Sequence, residues 1–187
     1  MSKQIAILEG ATRLFLRHGF RKASMDEIAR EAGVSKPTLY AYLADKDALF
    51  AAVCDHVGQK MLAAANEARS TKTFVERVQG ILTAKFTGTY ELLQQSPYAQ
   101  ELMDTQQAAA RERIDATTAG FEALLLKEID RAARAHEVDL RALGLDKRGL
   151  VRVLMQAGHG AAYGVRTVDE HREQLSTLVR AILRPGR

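Results

Sequence analysis

Apolar residues recur along most of the chain at intervals of three and four, the spacing that places them on one face of a helix. Ile5, Leu8, Ala11, Thr12 and Phe15 mark the first such face, and Gly19 is expected to end that helix as a left-handed cap. Ser24 and Glu27 then spell the S-x-x-E capping box. Met25, Ile28, Ala29 and Ala32 follow as the stripe of a short second helix, which Gly33 stops. A third short helix runs from near Ser35, Lys36 and Pro37 to about Leu43. Its start has two readings: Pro37 at the first helical position with Lys36 extended, or Ser35 as the cap bonding the N–H of Thr38. Asp45 begins a fourth helix carrying Leu49, Val53 and Val57 to about residue 65.

Beyond residue 70 the predicted helices lengthen. One spans 73 to 95, Ser96 and Pro97 start another as N-cap and first helical residue, and a long one spans 105 to 136. Residues 143 to 147 read as a connection before two final helices, 147 to 164 and 168 to 183. Turn dipeptides are few, so strands are not expected. The expected class is all-α, with an N-terminal three-helix helix-turn-helix domain over residues 1–47. A helical-bundle regulatory and dimerisation domain follows over residues 48–187.

Composition narrows this picture without replacing it. Hydrophobic residues are 47%, charged residues 27% and aromatics 6%, a globular profile poor in the residues of sandwiches and barrels. The single cysteine, Cys54, excludes an internal disulfide framework and reads as an inert packed thiol. No apolar run suits a membrane span and residues 1 to 7 carry no secretory pattern, so a cytoplasmic protein without membrane partners is expected. No cofactor is called for. There is no nucleophile–base arrangement, phosphate-cradling glycine loop or metal-ligand spacing, so an enzyme is not expected. Net charge is +4 over the chain and only 8 − 6 = +2 over residues 1 to 47, so any polyanion footprint must come from placement.

The chemistry concentrates in SMDEIAREAGVSKPTLYAYLADK, residues 24 to 46. Ala29 is small where two helices must meet, Gly33 four residues later supplies a turn of positive φ, and Val34 and Leu39 plug the corner. That is the spacing of a helix-turn-helix, whose second helix enters the major groove by its N-terminal end. Lys36 suits guanine O6/N7 or a phosphate, Thr38 a base edge, and Tyr40 and Tyr42 phosphates. Ser24 and Lys46 stand at helix N-termini, which attract phosphate.

The run GVSKPTLYAYLADKDALF, with G-F-x-x-A-S-M-D-E-I-A before it, resembles the N-terminal signature of TetR-family transcriptional regulators over about residues 5–50. Pro37 stands for a frequent Gly, Ala41 for a bulkier residue and Leu43 for a common Phe, so no operator sequence carries over. The resemblance implies a homodimer that binds double-stranded DNA at a palindromic operator and responds to a small-molecule effector.

Beyond the motif the expectations are looser. Lys85 and Thr89 fall inside the apolar face of Phe74, Val78, Ile81, Leu82 and Phe86, where they would either meet a polar or anionic ligand group or find local partners. Gln156, His159 and Tyr163 share a stripe with Arg152 that lines a ligand cavity or faces a partner subunit. Lys85, Phe86, Thr89, Gln156, His159 and Tyr163 are therefore the candidate ligand residues. Leu154 and Ala161 with Leu175, Leu178, Val179 and Ile182 are the candidate dimer interface, two helices from each subunit forming a four-helix contact. The alternative is that this stripe closes the monomer's own core. The expected function is a sequence-specific repressor released from its operator by a small-molecule effector. The alternative is a ligand-binding or partner-adaptor protein with an idle DNA module.

Overall fold

The computed structural model describes residues 2–69, 73–94, 96–104 and 107–184, and these form only helices, turns and bends. In chain order the elements are α1 (Lys3–Lys22), α2 (Met25–Glu31), α3 (Lys36–Tyr42), α4 (Lys46–Ala68) and α5 (Phe74–Leu82). A π-helical segment, Thr83–Thr87, leads into α6 (Gly88–Gln94), followed by α7 (Ala99–Met103), α8 (Ala108–Arg134), α9 (Lys147–Gly160) and α10 (Val168–Ile182). The expected ends at Gln95 and Thr105 lie outside the described residues. The chain gathers into two compact units, Met1–Lys60 with Leu92–Thr117, and Met61–Glu91 with Thr118–Arg187.

The first unit packs α1, α2, α3 and the start of α4 around Ile7, Phe15, Ile28, Leu39 and Leu49, with Ala110 of α8 added from far along the chain. The rings of Phe15, Phe20 and Phe50 meet at centroid distances of 5.0 to 5.7 Å, two of the contacts tilted and one edge-on. A Cβ on Gly10 would lie 3.1 Å from the backbone nitrogen of Ala32, so the missing side chain lets α1 approach the end of α2. Cys54 sits in this unit, where burial pushes its thiol up to about 11, far from thiolate reactivity.

The second unit buries Val78, Ile81, Leu82, Phe121, Leu125, Leu150, Leu154, Leu175 and Val179 in one core. Helix α10 packs on α5, on the π-helical segment and on α9. Capping boxes start two of these helices, Thr73 with Glu76 on α5 and Thr167 with Glu170 on α10. The π segment adds i→i+5 bonding in mid-helix, which shifts the face presented before it against the face presented after it. A single 3.6-residue wheel therefore does not describe residues 74 to 94.

Charge is also buried here. Arg77 is 2% exposed and bonds the 1%-exposed Glu128 at 2.9 Å and Glu137 at 2.6 Å. Arg69 adds a 2.7 Å bond to Glu128. Each buried charge thus faces an opposite one, as burial requires. His171, on the first turns of α10, is 1% exposed; it pairs its Nδ1 with the Thr87 hydroxyl at 3.0 Å and stacks on Tyr90 at 4.7 Å. Burial lowers its pKa, which favours the neutral ring.

Removing Glu128 leaves the Arg77 guanidinium buried with less compensation. Glu128→Ala is expected to lower unfolding free energy by about 3–5 kcal/mol, read from urea denaturation. A loss under about 1 kcal/mol, the level of an exposed ion pair, would contradict the placement of this network.

Candidate nucleic-acid interface and effector site

The motif is assembled by backbone chemistry that its sequence encodes. Ser24 caps α2 in a complete capping box: its Oγ accepts the Glu27 N–H at 3.2 Å, and the Glu27 carboxylate accepts the Ser24 N–H at 3.0 Å. The Ser24 hydroxyl also donates to that carboxylate at 2.7 Å. These bonds, the hydroxyl's first, hold the Glu27 carboxyl below its usual range. At the other end Gly33 takes φ +66°, its N–H reaching Arg30 O at 3.1 Å, while the Val34 N–H reaches Ala29 O at 2.9 Å. That pair of bonds is a Schellman turn, which only a residue at ease with positive φ completes without strain. Ser35 then caps α3, accepting the Thr38 N–H at 3.3 Å, so Lys36 is the first helical residue and Pro37 follows it.

Helix α3 has one fully buried side chain, Leu39, and turns the rest outward. Lys36, Pro37, Tyr40 and Tyr42 are exposed, the two tyrosines by 44% and 47%. Thr38 is half-buried and pairs its hydroxyl with that of Ser35 at 2.7 Å. Lys36 Nζ lies 2.7 Å from an Asp26 carboxylate oxygen on α2. The bond and the charge of Asp26 raise the lysine's pKa, and since both partners are exposed, the pair gives way readily to a stronger anion. Ser24, Tyr40 and Lys46 border one open groove, together with Arg21, Lys22 and Asp26.

Lys46 does more than stand at the start of α4. Its ammonium donates to Arg21 O at 3.2 Å and Ala23 O at 3.0 Å, and lies 4.6 Å from the Phe20 ring centroid. It ties the end of α1 to the start of α4. The end of α1 is unusual: Gly19 has φ +75° and ψ 166°, a region open essentially to glycine alone, instead of the left-handed cap expected there. A Cβ on Gly19 would sit 2.9 Å from both the Tyr98 ring and the Glu101 carboxylate. Glu101 accepts the Arg21 N–H at 2.8 Å, and Ser96 Oγ donates to Leu16 O at 2.7 Å. Ser96 therefore fastens α1 and accepts the Tyr98 N–H; the expected helix start at Ser96 and Pro97 is displaced to Ala99. The sequence reading missed Gly10, Tyr98 and Glu101; the paired glycines of α1 were their only local trace.

In the second unit Lys85, Phe86 and Thr89 come from the π segment and the turn after it. Lys85 Nζ donates to Thr118 Oγ1 at 3.0 Å and lies 5.1 Å from the Phe121 ring centroid and 5.5 Å from that of Phe86. Thr89 donates to Lys85 O at 2.6 Å. Phe86 meets the His159 ring edge-on at 4.8 Å, and a Cβ on Gly158 would fall 2.1 Å from a Phe86 ring carbon. Gln156, His159 and Tyr163 are exposed, Tyr163 by 88%, and His159 Nδ1 pairs with Met155 O at 2.8 Å. Leu154, Ala161, Leu175 and Val179 are fully enclosed in the chain's own core. They stiffen α9 and α10 from within and offer no surface to a partner, whereas Leu178 and Ile182 remain half-buried at its edge.

Comparison with known proteins agrees with this geometry. The family described as bacterial regulatory proteins, tetR family, matches residues 7–53. The HTH-type transcriptional activator FasR of Mycolicibacterium smegmatis is 32% identical over 147 residues, 74% of this chain. The chain spans 65% of that relative's length. The HTH-type transcriptional repressor SCO4008 of Streptomyces coelicolor is 45% identical over 56 residues, 30% of this chain and 28% of its own. The crystal structure of the transcriptional regulator FadR from Bacillus subtilis in complex with stearoyl-CoA superposes with a TM-score of 0.75, covering 98% of this chain and 100% of that one. At 15% identity this last likeness is one of fold.

The placement of Lys46 separates two roles. Lys46→Ala is expected to lower stability by on the order of 1–2 kcal/mol, because two carbonyls lose a charged donor, and to weaken operator and random duplexes alike. Urea midpoints and fluorescence anisotropy on both DNAs check this. Unchanged stability with lost DNA affinity would place the ammonium on a phosphate instead.

Proposed function

We propose that this chain, whose residues 7–53 match the tetR family of bacterial regulatory proteins, is a sequence-specific DNA-binding transcriptional regulator. The observation that carries the reading is the capped α2–turn–α3 pair, with Lys36, Pro37, Tyr40 and Tyr42 exposed on a helix whose inward face is anchored by Leu39. Residues 1–47 read DNA. Lys36 and Thr38 lie in the first turn of α3, the part that meets base edges when a recognition helix enters a major groove. Tyr40, Tyr42 and Ser24 take phosphates around it, and Lys46 fixes the supporting frame.

Residues 48–187 dimerise and sense. A twofold dimer presents two recognition helices to successive major grooves when they are about 34–36 Å apart, which makes its operator a palindrome. The exposed edge of α9 with Arg152 and Gln156, Tyr163 in the turn after it, and the half-buried Leu178 and Ile182 of α10 supply the subunit contact. Lys85, Phe86, Thr89 and His159 supply the effector site. The fold relative FadR was crystallised with stearoyl-CoA, which supports an effector with an apolar body.

The regulator acts as a repressor released by that effector. A hundredfold loss of operator affinity needs only about 2.7 kcal/mol of differential binding between the two states. Relatives bear both activator and repressor names, and in vitro transcription from a promoter carrying the operator reads the sign.

Lys36→Ala is expected to relax discrimination at one base pair roughly tenfold or more while leaving random-duplex affinity nearly unchanged. Anisotropy titrations against a single-substitution operator series give the readout. Equal losses on operator and random DNA would refute the base-reading role.

A further inference from the structure

The second unit treats the buried Arg77 and the half-buried Lys85 differently. Arg77 is met by Glu128 and Glu137, at 2.9 and 2.6 Å. Lys85 is half-buried, yet no carboxylate among the described residues lies within 4 Å of its ammonium. What it has is a neutral hydroxyl, Thr118, and two ring faces, Phe86 and Phe121. Burial accordingly lowers the pKa of Lys85, and the exposed Glu122 compensates only at a distance. An ammonium kept in such a place costs stability that a methionine there would not.

The backbone around it is special too. Lys85 is the middle residue of the π-helical turn Thr83–Thr87, a form that recurs where a helix serves a site. That turn shifts the helical register, and Thr89 bonds back to the Lys85 carbonyl. Phe86, the next residue, lies on the bare backbone of Gly158, where any side chain would displace its ring. Met61, a soft and adaptable side chain, borders the same place through its contact with Thr89 at 3.8 Å. A cation, a hydroxyl, two phenyl rings, an imidazole edge and a thioether are thus gathered within one unit.

We propose that Lys85 and Thr118 receive the acid group of a small organic anion whose apolar body lies along the half-buried Met61, at the edge of Phe86. The anion supplies the counter-charge that the fold withholds from Lys85. The ammonium is a binding group, and the core rings of Phe86 and Phe121 hold it in place by cation–π contact. This assignment rests on the effector site of the regulator reading and names the chemical class that the site accepts.

Two probes with the same aromatic body isolate the charge: 8-anilinonaphthalene-1-sulfonate, an anion, and N-phenyl-1-naphthylamine, which lacks the sulfonate. Both report binding to the full chain by fluorescence. The wild-type protein is expected to hold the anion at least about tenfold more tightly than the neutral probe. Lys85→Met is expected to bring the two within about twofold, Lys85→Arg to keep the preference, and the urea midpoint of Lys85→Met to equal or exceed that of wild type. No preference in wild type, or a preference that survives Lys85→Met, would overturn the proposal. Random-duplex binding measured without probe keeps the two readings apart. Lost DNA affinity with intact anion preference sinks the regulator reading alone, and the converse sinks only the anion site.

Discussion

A seven-residue helix cannot hold itself together in water, and the surface that would read DNA is carried on one. Helix α3 buries a single side chain completely, Leu39, and is started by a single hydroxyl, that of Ser35. Its partner α2 is equally short and is held by the Ser24–Glu27 box at one end and the Gly33 turn at the other. The position of every outward residue on α3 is therefore borrowed from the core beneath it. The exposed chemistry can vary with the DNA to be read, while Leu39, Ile28, Ala29 and the turn cannot.

The same dependence extends outward through α1. Lys46 grips the carbonyls of Arg21 and Ala23, so the start of α4 and the end of α1 move together. Tyr98 and Glu101 press on Gly19 from eighty residues further along the chain. The first unit is thus completed by a segment that arrives late in the sequence, and a displacement of α7 has a direct path to the end of α1. Charge is handled with similar economy: Arg77 is neutralised by the fold, Lys36 is held by an exposed carboxylate that it can leave, and Lys85 is held by a hydroxyl and two rings.

Much of the first unit was legible because its determinants are local. The S-x-x-E box, the glycine four residues after Ala29 and the polar run after Val34 each act within one turn of where they are written. Periodicity also found the helices of the second unit. What it could not find depends on distant partners. Ser35 against Pro37 as the start of α3 was undecided until the Thr38 N–H was placed. Ser96 looks like a helix cap but fastens α1 instead. Arg77 and Glu128 sit 51 residues apart and read as solvated charges until folded. The wheel through residues 74 to 94 missed the π turn, which no simple residue pattern announces. The stripe on α9 and α10 was real, but four of its members close the unit's own core, which an apolar pattern alone cannot separate from an interface.

The central claim is that two copies of α3 read a twofold DNA site. Its most direct test is selection of bound duplexes from a random pool by the purified chain at one near-physiological salt concentration. The expected result is an enriched palindrome with half-sites about one helical turn apart. A pool that stays random, together with no salt-dependent affinity for any duplex, would contradict it.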